Sequence, residues 1–225
     1  MKKIAVLIAL ITFVTGCKKR NIIGPEPSGW SITERDTVTS GQYWGINIGD
    51  DRATVYSKIR TLRQEKMIPA LLLQDFHYTS LTAVKDKLPF YNTLNITRVS
   101  SGSVITVQFL FTNETVSLIY SSPAGQLNSW PADVDAGTTI RLGDNLATLY
   151  NKLAAISNQP LYAGYFKQVR LLNKNLDRDY EEGMSLAGSW KIESHTEEKV
   201  ITGLELVFKN HSLDSVLIQK EEYTE

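Results

Sequence analysis

The chain has 225 residues, 42% hydrophobic and 21% charged, which fits an ordinary globular protein and excludes a disordered or collagen-like one. Its formal net charge of zero is unevenly placed: from Asn21 onward 19 basic residues stand against 24 acidic ones, a balance of −5, while Lys2, Lys3, Lys18, Lys19 and Arg20 complete the basic total of 24. A mildly acidic body argues against nucleic acid as a partner, and a single cysteine, Cys17, excludes any disulfide within the chain.

Met1-Lys2-Lys3 is followed by an apolar run from Ile4 to Val14 and then by Thr15-Gly16-Cys17. A cationic start, a short apolar run and small residues before a cleavage point read as a secretory signal peptide over residues 1–16. The run is too short for a membrane-spanning helix, which takes about 20 residues. Val14-Thr15-Gly16-Cys17 resembles the bacterial lipoprotein lipobox. The resemblance implies cleavage before Cys17, lipid attached to its sulfur, and a mature chain held on a membrane in the cell envelope. In such lipoproteins an aspartate after the lipidated cysteine marks retention in the inner membrane. Lys18 stands there instead, so the resemblance favours the outer membrane. Residues 17–29 form the lipidated N-terminus and tether, with Gly24, Pro25, Pro27 and Gly29 opposing regular structure.

Trp30 to Val38 favours an extended conformation and predicts a first strand. An internal repeat then appears. Ile46 to Ile59 matches Ile140 to Leu153 at a shift of 94 residues, with seven of 14 positions identical: Ile46/Ile140, Gly49/Gly143, Asp50/Asp144, Ala53/Ala147, Thr54/Thr148, Tyr56/Tyr150 and Lys58/Lys152. A repeat of this kind organises everything around it. Gly49 and Gly143 allow a sharp bend, and Asp50 and Asp144 are expected to cap the helix that follows. Val55, Tyr56, Ile59 and Leu62 fall at helical spacing, as do Leu146, Leu149, Tyr150, Leu153 and Ile156.

Each repeat ends in three strand-forming runs separated by turn signals. The first has Leu94 to Val99, Val104 to Phe111 and Thr115 to Tyr120; the second has Leu186 to Ser194, Val200 to Phe208 and Leu213 to Gln219. The expected fold is α+β: two tandem helix-plus-antiparallel-meander repeats, over 30–130 and 131–225. The divergent segments 67–92 and 159–183 are expected to add a strand, with a short second helix around Ser80 to Lys87.

A capped helix after an Ile/Leu-x-x-Gly start, followed by a meander and repeated in tandem behind a lipobox, resembles the β-lactamase-inhibitor-protein-like modules. It is also similar to the small lipoproteins of outer-membrane assembly (SmpA/BamE type). The matching residues are Ile48-Gly49-Asp50 to Ile59 and Leu142-Gly143-Asp144 to Leu153. The resemblance implies a protein that grips other proteins without catalysis.

No metal-ligand spacing joins His77, His195 and His211, and no nucleophile elbow, phosphate loop or dinucleotide fingerprint is present. No catalytic residue, metal site or cofactor is expected. Glu181-Glu182 and Glu221-Glu222 read as solvated charge. The aromatic residues Tyr43, Trp44, Trp130, Tyr162 and Tyr165 are the candidate partner contacts, because tyrosine and tryptophan are favoured in interfaces. The expected function is a lipid-anchored envelope protein that binds another envelope protein. The alternative is an accessory lipoprotein that binds a glycan or small ligand.

Overall fold

The computed structural model describes residues 29–224, so the expected signal peptide, Cys17 and the tether as far as residue 28 lie outside the described residues. Fifteen strands follow in chain order. They are β1 (Gly29–Val38), β2 (Gln42–Tyr43), β3 (Ile46–Asn47), β4 (Leu71–Gln74), β5 (Thr93–Ser100), β6 (Ser103–Thr112), β7 (Thr115–Ser121) and β8 (Gly125–Leu127), then β9 (Ser129–Trp130), β10 (Ile140–Arg141), β11 (Val169–Leu171), β12 (Asn173–Lys174), β13 (Ser189–Glu197), β14 (Val200–Lys209) and β15 (Ser212–Thr224). Two α-helices, α1 (Arg52–Leu62) and α2 (Leu146–Ser157), start where the repeat block predicts them. The divergent segments hold the extra strands β4, β11 and β12; a short 3-10 helix at Leu81–Val84 stands where a second helix was expected, and another follows it at Leu88–Phe90.

A larger antiparallel sheet has the order β1-β15-β14-β13-β4-β12, and a smaller one the order β11-β5-β6-β7-β8. They meet along residues 169–174. On one side β11 pairs with β5; on the other β12 pairs with β4. Between them Leu172 N donates to Thr93 O at 3.1 Å, and Leu73 N donates to Leu172 O at 3.0 Å. A single run of backbone thus stitches the two sheets together.

The expectation of two tandem helix-plus-meander repeats does not hold. Strands take 46% of the described residues and helical segments 20%, and large antiparallel sheets dominate. The two repeats also exchange their parts. Gly49 N donates to Leu213 O, and Leu213 N to Asp50 O, both at 2.8 Å, so the start of α1 is tied to the β14–β15 hairpin of the second repeat. Reciprocally, Gly143 N donates to Val116 O at 2.8 Å and Val116 N to Asp144 O at 2.9 Å, tying α2 to the β6–β7 hairpin of the first. After α1, β4 pairs with β13, with Leu73 opposite Trp190; after α2, β11 pairs with β5, with Leu171 opposite Leu94. Both sheets therefore take strands from both sides of residue 130.

The physical reason is that an apolar helix stripe asks for an apolar surface without specifying which one. Val107, Phe109 and Phe111 offer that surface in the first meander, and Leu204, Leu206 and Phe208 in the second; all six are at most 6% exposed. The hairpin turns are equally alike. Asn113-Glu114 and Asn210-His211 all have positive φ, as a two-residue hairpin turn matched to strand twist requires.

The helix caps sit one residue beyond the expected ones. Asp51 accepts from Thr54 N at 2.8 Å, and Asn145 from Ala147 N at 2.7 Å. Asp50 and Asp144 turn back instead. Asp50 accepts from Asn47 N at 2.9 Å and pairs with Lys58 at 2.5 Å; Asp144 accepts from Arg141 N at 2.8 Å and pairs with Lys152 at 2.7 Å. Gly49 and Gly143 have φ of 96° and 85°, which free the chain to turn from β3 and β10 toward the helices. The identical residues of the repeat thus form a clasp of glycine, aspartate and lysine, placed twice. Burial opposes ionisation of Asp50, but the hydrogen bonds from Lys58 and Asn47 hold its carboxyl below the ordinary carboxylate value.

One hydrophobic core runs through both halves. Val55, Tyr56 and Ile59 of α1 and Leu149, Leu153 and Ile156 of α2 point into it, with Trp190 of β13 fully buried. Arg52 lies 4.5 Å from the Phe208 ring and donates to Ala187 O at 3.2 Å, a contact that fixes α1 on the second meander.

Candidate binding faces

In both sheets alternate side chains point to the core, so every second residue forms an opposite, outer face. On the larger sheet Leu204 and Leu206 are buried opposite Ile218 and Val216, which leaves Ile201, Gly203 and Glu205 facing outward opposite Glu221, Gln219 and Leu217. Beyond them, on β1, Thr37, Arg35, Ile32 and Trp30 face the same way, opposite Leu217, Gln219, Glu221 and Tyr223. Sheet twist hollows this face into a groove of about 680 Å³ with Gly203 at its floor. Trp30 is 50% exposed, Ile32 46%, Leu217 39% and Tyr223 38%. Trp30 and Tyr223 meet edge to face at 5.6 Å. Charges of both signs line the groove itself, Glu193, Glu205 and Glu221 against Arg35 and Lys191, with Lys191 and Glu205 3.4 Å apart; Arg35, Gln219 and Glu221 separate Leu217 from Trp30 and Tyr223.

The outer face of the smaller sheet differs in kind. One row runs straight across it: Arg170 opposite Asn95, Asn95 opposite Gln108, Gln108 opposite Tyr120, and Tyr120 opposite Gln126. The neighbouring row carries Thr97 and Thr106, whose hydroxyls lie 3.0 Å apart. No aspartate or glutamate occurs on these five strands.

The aromatic residues singled out from the sequence do not line either face. Trp130 and Tyr165 are each only 7% exposed and belong to the core. Trp130 packs edge-on against Phe109 at 5.9 Å, Tyr162 at 5.5 Å and Tyr165 at 5.6 Å. Tyr162 is half-buried in the same cluster and donates to Asp133. Pairing of β9 with β10 carries Trp130 onto the inner face, which withdraws Trp130 and Tyr165 as partner contacts. Tyr43 and Trp44 are half-buried and stacked on each other at 5.2 Å, with Lys66 5.6 Å from the Trp44 ring. They occupy the β2–β3 turn. The outer-face residues Leu217 and Tyr223 were passed over in the sequence, although Trp30 and Ile32 alternate within the expected first strand. Membership of a face is set by which strand lies alongside.

A buried polar cluster lies beneath the seam. Lys174 is 1% exposed and sits among the rings of Tyr56 (5.1 Å), Phe90 (5.2 Å) and Tyr91 (6.0 Å). It donates to Asn175 O at 3.1 Å and Arg178 O at 3.4 Å. Burial lowers its pKa to about 8. Glu181, expected in solvent, is 8% exposed. It accepts from Tyr91 at 3.0 Å and from Gly183 N at 2.7 Å, and it pairs with Lys87. Burial raises the pKa of Tyr91 well above the ordinary phenol value. Lys174, Tyr91 and Glu181 are themselves buried, while Lys87 reaches the surface and Tyr91 and Asn175 line a neighbouring cavity of about 450 Å³.

His195 stands 3.7 Å from Glu193 on β13, and His211 lies in the β14–β15 turn. Among the described residues no group of three or more His, Cys, Asp or Glu side chains converges as metal ligands would. No protein-family model matches this chain, and no curated protein matches it significantly.

Proposed function

We propose that this chain is a lipid-anchored cell-envelope protein that binds another envelope protein through the outer face of its larger sheet, without catalysis. The observation that carries the reading is the open groove on this face, with Leu217 and Ile201 in its lining and with Trp30, Ile32 and Tyr223 exposed beyond its end on the same face. Of the eleven large apolar side chains exposed among the described residues, Trp30, Ile32, Leu217 and Tyr223 lie on the outer face of the larger sheet, while Val99, Val104 and Tyr120 lie on that of the smaller. Interfaces combine apolar and aromatic anchors with polar and charged contacts, and this face carries both kinds of side chain. The anchor rests on Val14-Thr15-Gly16-Cys17, and the outer membrane is favoured by Lys18. This face begins at β1, the first strand after the tether, so the lipid would hold the groove close to the membrane. A 12-residue spacer of residues 17–28 reaches at most roughly 40 Å.

A photoreactive amino acid placed at Leu217 of the full-length chain in its native envelope tests this. One reproducible adduct with a specific envelope protein is the expected result. An adduct pattern at Leu217 no different from that at exposed Glu198 would sink the assignment of the face.

A further inference from the structure

We propose that the end of the larger sheet carrying Trp30 and Tyr223 rests on the headgroup layer of the membrane that holds the lipid anchor, and so sets how the groove is presented. This surface adds to the anchored reading above, on which it rests, a second partner: a zwitterionic bilayer. Four strand ends meet here. Gly29 of β1 is opposite Thr224 of β15, and Val200 of β14 is opposite both Glu222 of β15 and Glu197 of β13. Tyr223 N donates to Lys199 O at 2.8 Å, which closes the β13–β14 turn against β15. The β14–β15 turn lies at the far end of β14, roughly 30 Å away along a strand of ten residues.

The side chains at this end suit a water–lipid boundary. Trp30 is 50% exposed, Ile32 46% and Tyr223 38%, all on one face, and the two rings meet edge to face at 5.6 Å. Such amphipathic rings gather at the headgroup level, with the apolar body toward the acyl chains and the N–H or O–H toward water. The same rings would suit a protein partner, and the path of the chain decides between the two. Trp30 is the second described residue, and the chain leads from it to the expected lipid site at Cys17 through a spacer that reaches at most roughly 40 Å. Tethering makes contact with the bilayer intramolecular, so a surface too weak to bind vesicles from solution becomes occupied. A soluble partner gains nothing from the tether. Charge selects the kind of bilayer. Glu197, Glu198, Glu221 and Glu222 outnumber Lys199 and Lys220 here, and Lys220 pairs with Glu222 at 3.1 Å. That acidic excess is repelled by anionic headgroups and tolerated by zwitterionic ones.

Brominated-lipid quenching of the lipidated chain, purified from its envelope and reconstituted in phosphatidylcholine vesicles, tests this. Acyl-chain bromine is expected to quench part of the tryptophan emission, and Trp30→Phe to remove that part, since Trp130 and Trp190 are buried and Trp44 is half-buried. Tyr223→Asp leaves the reporter ring in place and should cut the quenching about twofold or more. Lys209→Trp in the Trp30→Phe background puts a reporter at the far end of the sheet and should stay unquenched. Unchanged circular dichroism will show that each variant is folded. Mass spectrometry of Cys17 and flotation with the vesicles separate anchor from surface. A chain without lipid that does not float would overturn the anchor and this surface with it. A lipidated chain that floats with Trp30 unquenched would overturn the surface alone, and leave Trp30 and Tyr223 to the protein partner. Quenching that Tyr223→Asp leaves unchanged, or that is as strong at the Lys209→Trp reporter, would overturn it too, because the body would then have no preferred end.

Discussion

The half of the molecule built from α1 and the second meander and the half built from α2 and the first meander are alike inside and unlike outside. Inside, each has a left-handed glycine, an aspartate–lysine pair eight residues apart, a polar N-cap, a two-residue hairpin turn and a helix tied to that turn. Outside, one sheet presents a groove in which apolar and charged side chains alternate, and the other a carboxylate-free face of arginine, amides, threonine, valine and tyrosine. Duplication has kept what holds a helix to a sheet and let the outer residues drift apart. The inner residues are constrained by packing, where one methylene is felt. The outer ones are free to specialise, and the proposed binding face lies there.

The comparison breaks most visibly if the halves are separable. Trp190→Ala in the larger sheet is expected to cost about 3–5 kcal/mol, and Leu153→Ala in α2 about 2–5 kcal/mol. Because residues 169–174 join the sheets and the helices are exchanged, each variant should lower one common transition in urea, followed by both tryptophan fluorescence and circular dichroism. Two separate transitions would show that the seam does not couple the halves.

A pH series sharpens the comparison at the seam itself. The folded pKa of Lys174, about 8, lies below its ordinary value of 10.5, so between these values the unfolded chain binds the extra proton. Stability should therefore rise as pH goes from 8 toward 10, by up to about 3 kcal/mol. Above pH 10 the trend should reverse, because burial raises the pKa of Tyr56 to about 12 and pushes Tyr91 up too. Lys174→Met should abolish the rise between pH 8 and 10; if the rise persists in that variant, Lys174 is not its source.

The smallest effects test the likeness of the two halves. Asp51→Ala and Asn145→Ala each remove an N-cap hydrogen bond and should each cost about 1 kcal/mol. Lys58→Met and Lys152→Met open the two clasps and should cost about 1 kcal/mol each by urea denaturation. The Lys58 effect should fade on acidification. The folded pKa of Asp50 is depressed, so its contribution is present above its unfolded pKa and is lost as pH falls through the folded one. Unequal costs at Lys58 and Lys152 would show that the duplicated clasps have diverged.

Much of this was legible from the residues. The 94-residue repeat marked both helices, and the alternation of Val107, Phe109 and Phe111 with polar neighbours marked a strand with one buried face. The identity of Lys58 and Lys152 held the signal for the clasp, but a lysine eight residues from an aspartate reads as solvated charge until their separation is known. The cap was misplaced by one residue because Asp50 and Asp51 are both acceptors. Only the direction of the chain at Gly49 decides which of them faces the helix N–H groups. Trp130 and Tyr165 looked like contacts because aromatic residues serve cores and interfaces equally.

Local periodicity, turn chemistry and duplication thus determined from sequence alone that two capped helices, two meanders and an N-terminal lipobox-like segment exist. Only the tertiary structure decided which helix lies on which meander, where the sheets join and what their outer faces carry. Element formation depends on neighbours along the chain, which the sequence states directly. Partner choice between two equally apolar surfaces depends on how the connecting segments 63–92 and 158–188 run through space, and no local pattern encodes that.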